Sequence, residues 1–155
     1  MYPISDKGLN REDEKSVYFF TSAYHPLDNF SAHSISIWNR NFPTAEHAFQ
    51  WKKFSDIKPD IAEKILEAKS PHLVKEISIV NKDLVSKDWH NIKLGVMEEI
   101  LKAKAKQHED VREVLRKTGR KTIVENSPVD SFWGIGPDEK GENMLGKIWM
   151  KIRDN

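Results

Sequence analysis

The segment Phe42-Pro43-Thr44-Ala45-Glu46-His47-Ala48-Phe49-Gln50-Trp51-Lys52-Lys53-Phe54 constrains this chain more than any other. Thr44 predicts a helix N-cap, because its hydroxyl can accept a hydrogen bond from a free amide of the first turn. A helix that starts there puts Glu46, Gln50 and Lys53 at i, i+4 and i+7, on one face. A carboxylate, an amide and an amine then point the same way, flanked by Phe49, Trp51 and Phe54. Two readings fit this pattern. One is an ordinary amphipathic helix, with Glu46 complementing the helix dipole and Lys53 in solvent. The other is a site built on that face. His47 lies on a different face and is expected to pack or cap.

The remaining pattern predicts an α+β fold: a single, mostly helical domain with a small β-sheet. Val17 to Phe20 is an apolar run suited to a buried strand, and Ile35 to Trp38 alternates as a second, with Asn39-Arg40-Asn41 as the turn after it. Residues 24–32, with Pro26 and Asp28-Asn29, read as a loop. From residue 44 onward helices dominate. The first stops before Pro59, and a second runs from about Pro59 to Lys69. Ser70-Pro71 marks the N-cap and first position of a third. Asp88 to Gln107 is the longest periodic stretch, with Ile92, Val96, Ile100 and Leu101 on its buried side and Lys102, Lys104 and Lys106 as a solvated face. Val111, Val114 and Leu115 mark a helix ended by Gly119. Thr122 to Glu125 fits a short strand, and the last helix runs from about Glu142 to Arg153. Residues 1–16 read as a polar lead-in, with the domain proper over 17–155.

Composition narrows the function classes. The chain has 155 residues, enough for one domain with a real core. A formal net charge of +1 gives no global footprint for nucleic acid, so strong nonspecific binding to it is not expected. The absence of cysteine excludes disulfides and thiolate chemistry and suits a reducing compartment. No apolar run has signal-peptide or membrane-spanning character. These features lead to the expectation of a cytoplasmic protein with no membrane association. The six histidines show no paired ligand spacing, so no metal site is expected.

A second dense stretch runs from Glu125 to Gly136 and on through Gly141-Glu142-Asn143-Met144-Leu145-Gly146. Loops on rigid scaffolds favour sites, and glycines let backbone approach a ligand closely. Trp133 offers a platform on which a base can stack. The same residues also fit a structural turn, with Trp133 in the core and Asn143 capping the last helix. Gly134-x-Gly136 follows no clear strand and lacks a third glycine at the spacing of a dinucleotide fingerprint.

Taken together, the two stretches resemble the YbiA/NADAR family of N-glycosidases, over roughly residues 17–153. The marks are Asp28-Asn29-Phe30-Ser31-Ala32; Phe42 to Gln50 with Lys53 and Asp56; Ser70-Pro71; Trp89 with Lys93 and Met97; and Gln107-His108. Toward the C-terminus they continue with Glu125, Asp130, Trp133-Gly134, Gly136, Gly141, Asn143, Leu145-Gly146, Met150 and Arg153. The resemblance implies hydrolysis of the bond between a ribose C1′ and a nitrogen, without metal or cofactor. Similar members cleave the ribosylamino bond of early riboflavin intermediates, and others remove ADP-ribose from guanine in nucleic acid. The implied partner is therefore a small phosphorylated ribosylamine or an ADP-ribosyl-guanine. Two departures bear on the substrate. Ser78-Ile79 stands where the family commonly has Gly-Arg after the Ser-Pro helix, and Ile135 replaces a residue of the usual Trp-Gly-Asp-Gly.

Cleavage of a ribosyl C–N bond passes through an oxocarbenium-like sugar and needs an acid for the leaving nitrogen. Glu46 and Asp130 are the carboxylate candidates. A ribosylamine can also open to an imine, which a neutral lysine can attack to form a Schiff base. Lys53 is the family-matched lysine and the preferred nucleophile, with Glu46 or Asp130 moving protons; the alternative is direct attack by water, with Lys53 only binding phosphate. Burial beside aromatics lowers its pKa and Glu46 raises it, and the sequence leaves that balance open. The expected catalytic set is Glu46, Lys53 and Asp130. The expected substrate-binding set is Asn29, Phe30, Gln50, Trp89, Trp133, Gly134 and Asn143. The rival reading, a non-catalytic module that binds a nucleotide or ADP-ribose, needs only the aromatics, glycines and Asn143.

Overall fold

Apolar side chains at alternate positions, Val17 and Phe19, turn a short stretch near the N-terminus into a strand with one buried face. The computed structural model describes residues 8–20 and 25–155. Residues 1–7 of the predicted lead-in, and Tyr24 at the start of the predicted loop, lie outside the described residues. Two compact units make up the α+β fold: residues 32–107, and the segments up to Ser31 and from His108 to Asn155.

The flanking segments hold a three-stranded sheet in the order β1 (Arg11–Glu12), β2 (Ser16–Phe19), β5 (Thr122–Glu125). β1 is antiparallel to β2, and β2 is parallel to β5 with Ser16 opposite Thr122 and Phe19 opposite Glu125. The predicted polar lead-in therefore contains an edge strand. Asp13 Oδ1 accepts from the backbone amides of Lys15 and Ser16, both at 2.8 Å, and this turn folds the polar residues back onto β2. Polar side chains are no obstacle at a sheet edge, where both faces of a short strand meet water. α6 (Met144–Asp154) packs on β5 and is in contact with α5 (Glu109–Lys117). Phe19, Leu27, Ile123 and Trp149 are fully buried, and the Trp149 indole donates to the Leu27 carbonyl at 3.0 Å. Gly146 permits the α6–β5 approach: a Cβ there would lie 2.1 Å from the Ile123 carbonyl oxygen. α6 starts two residues later than predicted, because Asn143 holds a left-handed conformation (φ 51°, ψ 44°) that no helix continues through.

Residues 32–107 form a hairpin, four α-helices and a short 3-10 helix at Lys82–Leu84. β3 (Ile35–Ile37) and β4 (Arg40–Phe42) pair antiparallel, with Ile37 opposite Arg40. The turn is thus Trp38-Asn39, and the turn predicted at Asn39-Arg40-Asn41 is displaced by one residue, with Arg40 and Asn41 in β4. Trp38 and Asn39 both have positive φ, 54° and 60°, as a two-residue hairpin turn of the mirror-image type requires. A tryptophan is a poor residue for that region. Its ring stacks on Trp51 with centroids 6.0 Å apart, and its indole N–H donates to Glu99 at 2.8 Å, which holds it there.

The helices follow the predicted punctuation. α1 (Ala45–Ser55) is capped by Thr44, α2 (Pro59–Glu67) opens on a proline, and α3 (Pro71–Val80) is capped by Ser70, whose hydroxyl accepts from Leu73 N at 3.1 Å. α4 (Trp89–Gln107) is the longest. α1 touches α2, α3, α4 and both hairpin strands, so its faces are divided among them. Phe54, Ile61, Ala62, Ile65, Ala68 and Val74 form the shared core of α1, α2 and α3. On α4 two expectations are corrected. Ile92 is 42 % exposed, while Lys104, predicted to be solvated, is fully buried. Ile92, Val96, Ile100 and Lys104 are spaced four apart along one row of the helix, which is buried from Val96 to Lys104 and exposed at Ile92 in the first turn. Position on the helix, not residue type, sets which side chain goes inward. Among the described residues no helix is long and apolar enough to cross a membrane.

Candidate active site

The α1 start is locked in place before it presents any chemistry. Thr44 Oγ1 accepts from His47 N at 3.1 Å and lies 2.8 Å from His47 Nδ1. His47 Nε2 lies 2.9 Å from the carbonyl oxygen of Ala68, the residue that caps the C-terminus of α2. A carbonyl only accepts, so Nε2 carries the proton and Nδ1 accepts from the threonine hydroxyl. His47 is buried and its pKa is lowered by desolvation, partly opposed by the bond to Ala68. The expectation that His47 packs or caps is met by its burial.

Two turns of α1 then carry the three side chains predicted to share a face. Glu46 and Gln50 are each 8 % exposed, and Gln50 Nε2 donates to Glu46 Oε1 at 2.8 Å. An ionised carboxylate only accepts, so the Gln50 amide must turn its NH₂ toward Glu46 and its oxygen away. That oxygen, Oε1, is buried with no hydrogen-bond partner among the described residues. Leaving such an acceptor unpaired is costly, and a ligand donor would satisfy it. Lys53, half-buried, donates from Nζ to Ser78 Oγ at 3.1 Å. Its pKa is lowered: desolvation outweighs the attraction of Glu46, and the charge of Lys93 on α4 acts in the same direction as burial. The balance the sequence left open is thus decided by burial, and the neutral amine is made more accessible. Trp89, four residues before Lys93, is buried against Phe49 with ring centroids 5.1 Å apart. Glu46, Gln50, Lys53 and Trp89 all belong to the unit of residues 32–107.

The other predicted residues belong to the flanking segments. Asn29 is buried and Phe30 half-buried in a loop where Asp28 Oδ1 accepts from Phe30 N at 2.8 Å. Asp130 uses Oδ1 to accept from the amides of Phe132 and Trp133, both at 2.9 Å, while Ser127 Oγ accepts from Val129 N and Asp130 N. These bonds set the loop that carries Trp133. The indole of Trp133 is half-buried and meets Phe132 edge-on at 4.9 Å. Gly134 makes its close approach to protein: a Cβ would lie 2.5 Å from Glu125 Oε2. Asn143 gives both ends of its amide to β5, with Oδ1 accepting from Glu125 N and Nδ2 donating to the Ile123 carbonyl, each at 2.8 Å. It makes no side-chain cap to α6, contrary to the capping alternative.

Ser78 is the polar group of this region that the site prediction missed. It lies, with Ile79, in the last turn of α3 and not beyond the helix, and it is 2 % exposed beside Lys53 while Ile79 is 58 % exposed. The available signal was the unusual Ser78-Ile79 pair itself, but no local pattern ties a serine on α3 to a lysine on α1.

Comparison with known proteins places these residues in a family. The model of the NADAR domain matches residues 10–155. An N-glycosidase of Nostoc punctiforme is 37% identical over 142 residues, covering 90% of this chain and 91% of that protein. A riboflavin biosynthesis protein of Vibrio vulnificus is 32% identical over 91% of this chain, which corresponds to 38% of that longer protein. The solved solution structure of Escherichia coli YbiA superimposes with a TM-score of 0.76 at 31% identity, covering 94% of this chain and 87% of that one. The matched region includes both dense sequence stretches, the α1 face and the Asp130–Trp133 loop, and the chain belongs to the NADAR-domain family of N-glycosidases, hydrolases of N-glycosyl bonds.

Proposed function

We propose that the chain hydrolyses the C1′–N bond of a small phosphorylated ribosylamine, a phosphoribosylamino-pyrimidine of early riboflavin synthesis. The observation that carries this reading is Lys53: a half-buried amine with a lowered pKa, on the same helical face as Glu46 and Gln50. The name of the Vibrio relative supports the substrate class. A phosphorylated substrate is retained inside the cell by its charge, so the reading is cytoplasmic.

The chemistry follows from the ribosylamine. Protonation of the ring oxygen and cleavage of its bond to C1′ leave an iminium at C1′. The neutral Lys53 amine adds to that carbon. The proton that the Lys53 amine sheds on addition passes through Glu46 or Asp130 to the pyrimidine-bound nitrogen, the C1′–N bond to the base breaks, and the base leaves as a free amine. The sugar remains on Lys53 as a Schiff base. Water adds to C1′, Lys53 departs, and ribose phosphate is released. Gln50 Oε1 accepts from a substrate hydroxyl or amine, and the base stacks on Trp133, with Phe30 and Asn29 as further contacts. No cofactor enters this route.

The test is direct. The protein is incubated with a phosphoribosylamino-pyrimidine and, separately, with ADP-ribosylated guanine in DNA, and the free base is followed by mass spectrometry. Turnover of the pyrimidine is expected, rising with pH through the lowered Lys53 pKa. Borohydride added during turnover should leave a ribosyl-derived mass on residue 53. Lys53→Arg should lose turnover, because guanidinium stays protonated and forms no imine. A normal rate in Lys53→Arg without an adduct refutes the covalent route, and release of ADP-ribose from DNA without action on the pyrimidine refutes the substrate.

A further inference from the structure

The buried side of α3 consists of Val74 and, one turn on, Ser78. Val74 joins the apolar core of α1 and α2, and the next inward position would ordinarily continue it. A hydroxyl stands there instead, 2 % exposed, with its oxygen 3.1 Å from Lys53 Nζ. Burying a hydroxyl is unfavourable unless it is hydrogen-bonded. Burying a lysine amine is unfavourable as well, and among the described residues Ser78 is the hydrogen-bond partner of that amine. Each polar group is thus tolerated because of the other.

We propose that Ser78 is a positioning residue, whose hydroxyl oxygen holds the Lys53 amine in its working orientation. This rests on the reading of Lys53 as the nucleophile. A neutral amine has two hydrogens and one lone pair. When one hydrogen is given to Ser78 Oγ, the lone pair is directed elsewhere, away from α3. Lysine has four rotatable side-chain bonds, so a free amine spends much of its time misdirected. A fixed one meets the reacting carbon in attack geometry more often. The charged groups acting on the amine are Glu46 on its own helix and Lys93 on α4, and neither sets its direction as a hydrogen bond does.

The experiment is trace acetylation of the intact protein with acetic anhydride across the titration range of lysine, with labelling at residue 53 mapped by mass spectrometry, alongside steady-state kinetics on the pyrimidine substrate. The variants are Ser78→Ala, which suits a helix, and Ser78→Thr, which keeps a hydroxyl. Loss of the acceptor disfavours the charged amine, so Ser78→Ala should lower the labelling midpoint of Lys53 by about half a pH unit. Its kcat should fall about tenfold through misorientation, with KM changed much less. Ser78→Thr should restore both. A Lys53 midpoint and a kcat unchanged in Ser78→Ala overturn the proposal, as does equal impairment of Ser78→Ala and Ser78→Thr, which marks a packing role. Labelling needs no turnover, so it decides on Ser78 even where Lys53→Arg shows that the nucleophile reading itself fails.

Discussion

Replacing Thr44 by valine removes one oxygen and keeps the shape, and the structure predicts a large loss for so small a change. The hydroxyl caps α1 through His47 N at 3.1 Å and satisfies His47 Nδ1 at 2.8 Å. Loss of an N-cap is worth about 1 kcal/mol. Stranding the buried Nδ1 adds about 1–2 kcal/mol, since its former donor is replaced by a methyl. The sum, about 2–3 kcal/mol, corresponds to a fall in Tm of about 5–10 °C for a domain of this size. Urea denaturation of both proteins at neutral pH measures it, and a loss below about 0.5 kcal/mol refutes the reasoning, because surface substitutions reach that much.

The same lock has an acid limit. The pKa of His47 in the fold lies below its ordinary 6.5. Above 6.5 both native and unfolded chains hold it neutral, and its contribution is fully present. As pH falls from 6.5 to the native value, the unfolded chain binds a proton that the fold refuses, so stability declines through that window and then levels. One such group imposes a slope of at most about 1.4 kcal/mol per pH unit. A His47→Gln variant should lose that part of the acid dependence, and an identical slope in wild type and variant would show that another group is responsible.

Two further predictions concern the flanking segments. Trp133→Ala should raise the KM for substrate by about tenfold or more, as loss of a stacking platform does, with the denaturation midpoint little changed; a collapse in stability without a KM effect would make Trp133 a core residue instead. Asn143→Ala should destabilise the fold by about 2–4 kcal/mol, from two hydrogen bonds to β5 and a left-handed backbone that alanine tolerates poorly. Chemical denaturation reads the effect, and a change under about 1 kcal/mol would mean that water replaces the amide at β5.

Features that depend on neighbours in the chain were legible. Thr44 and Ser70 cap their helices, Pro59 and Pro71 open theirs, and Gly119 (φ +58°) follows the end of α5 as predicted. The i, i+4, i+7 spacing correctly put Glu46, Gln50 and Lys53 on one face. Failures came where a distant partner overrides a local rule. Trp38 occupies a turn position that its bulk disfavours because Trp51 and Glu99 hold its ring. Asn143 reads as a cap because asparagine often is one, but its amide is claimed by β5 some twenty residues earlier.

Lys53 shows how far this distinction reaches into chemistry. Its place on the α1 face follows from spacing alone, yet spacing says nothing about its charge. A lysine two turns from a glutamate on the same helical face would hold its proton more firmly if Glu46 were its dominant neighbour. It holds it less firmly, because the surrounding helices remove water and α4 brings Lys93 close enough to act on it. Among the described residues it donates its hydrogen bond to α3, to a serine that no helical periodicity singles out. The pKa and the hydrogen bonding of a residue on one helix therefore depend on side chains of two others. A substitution at Ser78 or Lys93 should change what Lys53 can do while α1 keeps its sequence, its cap and its fold.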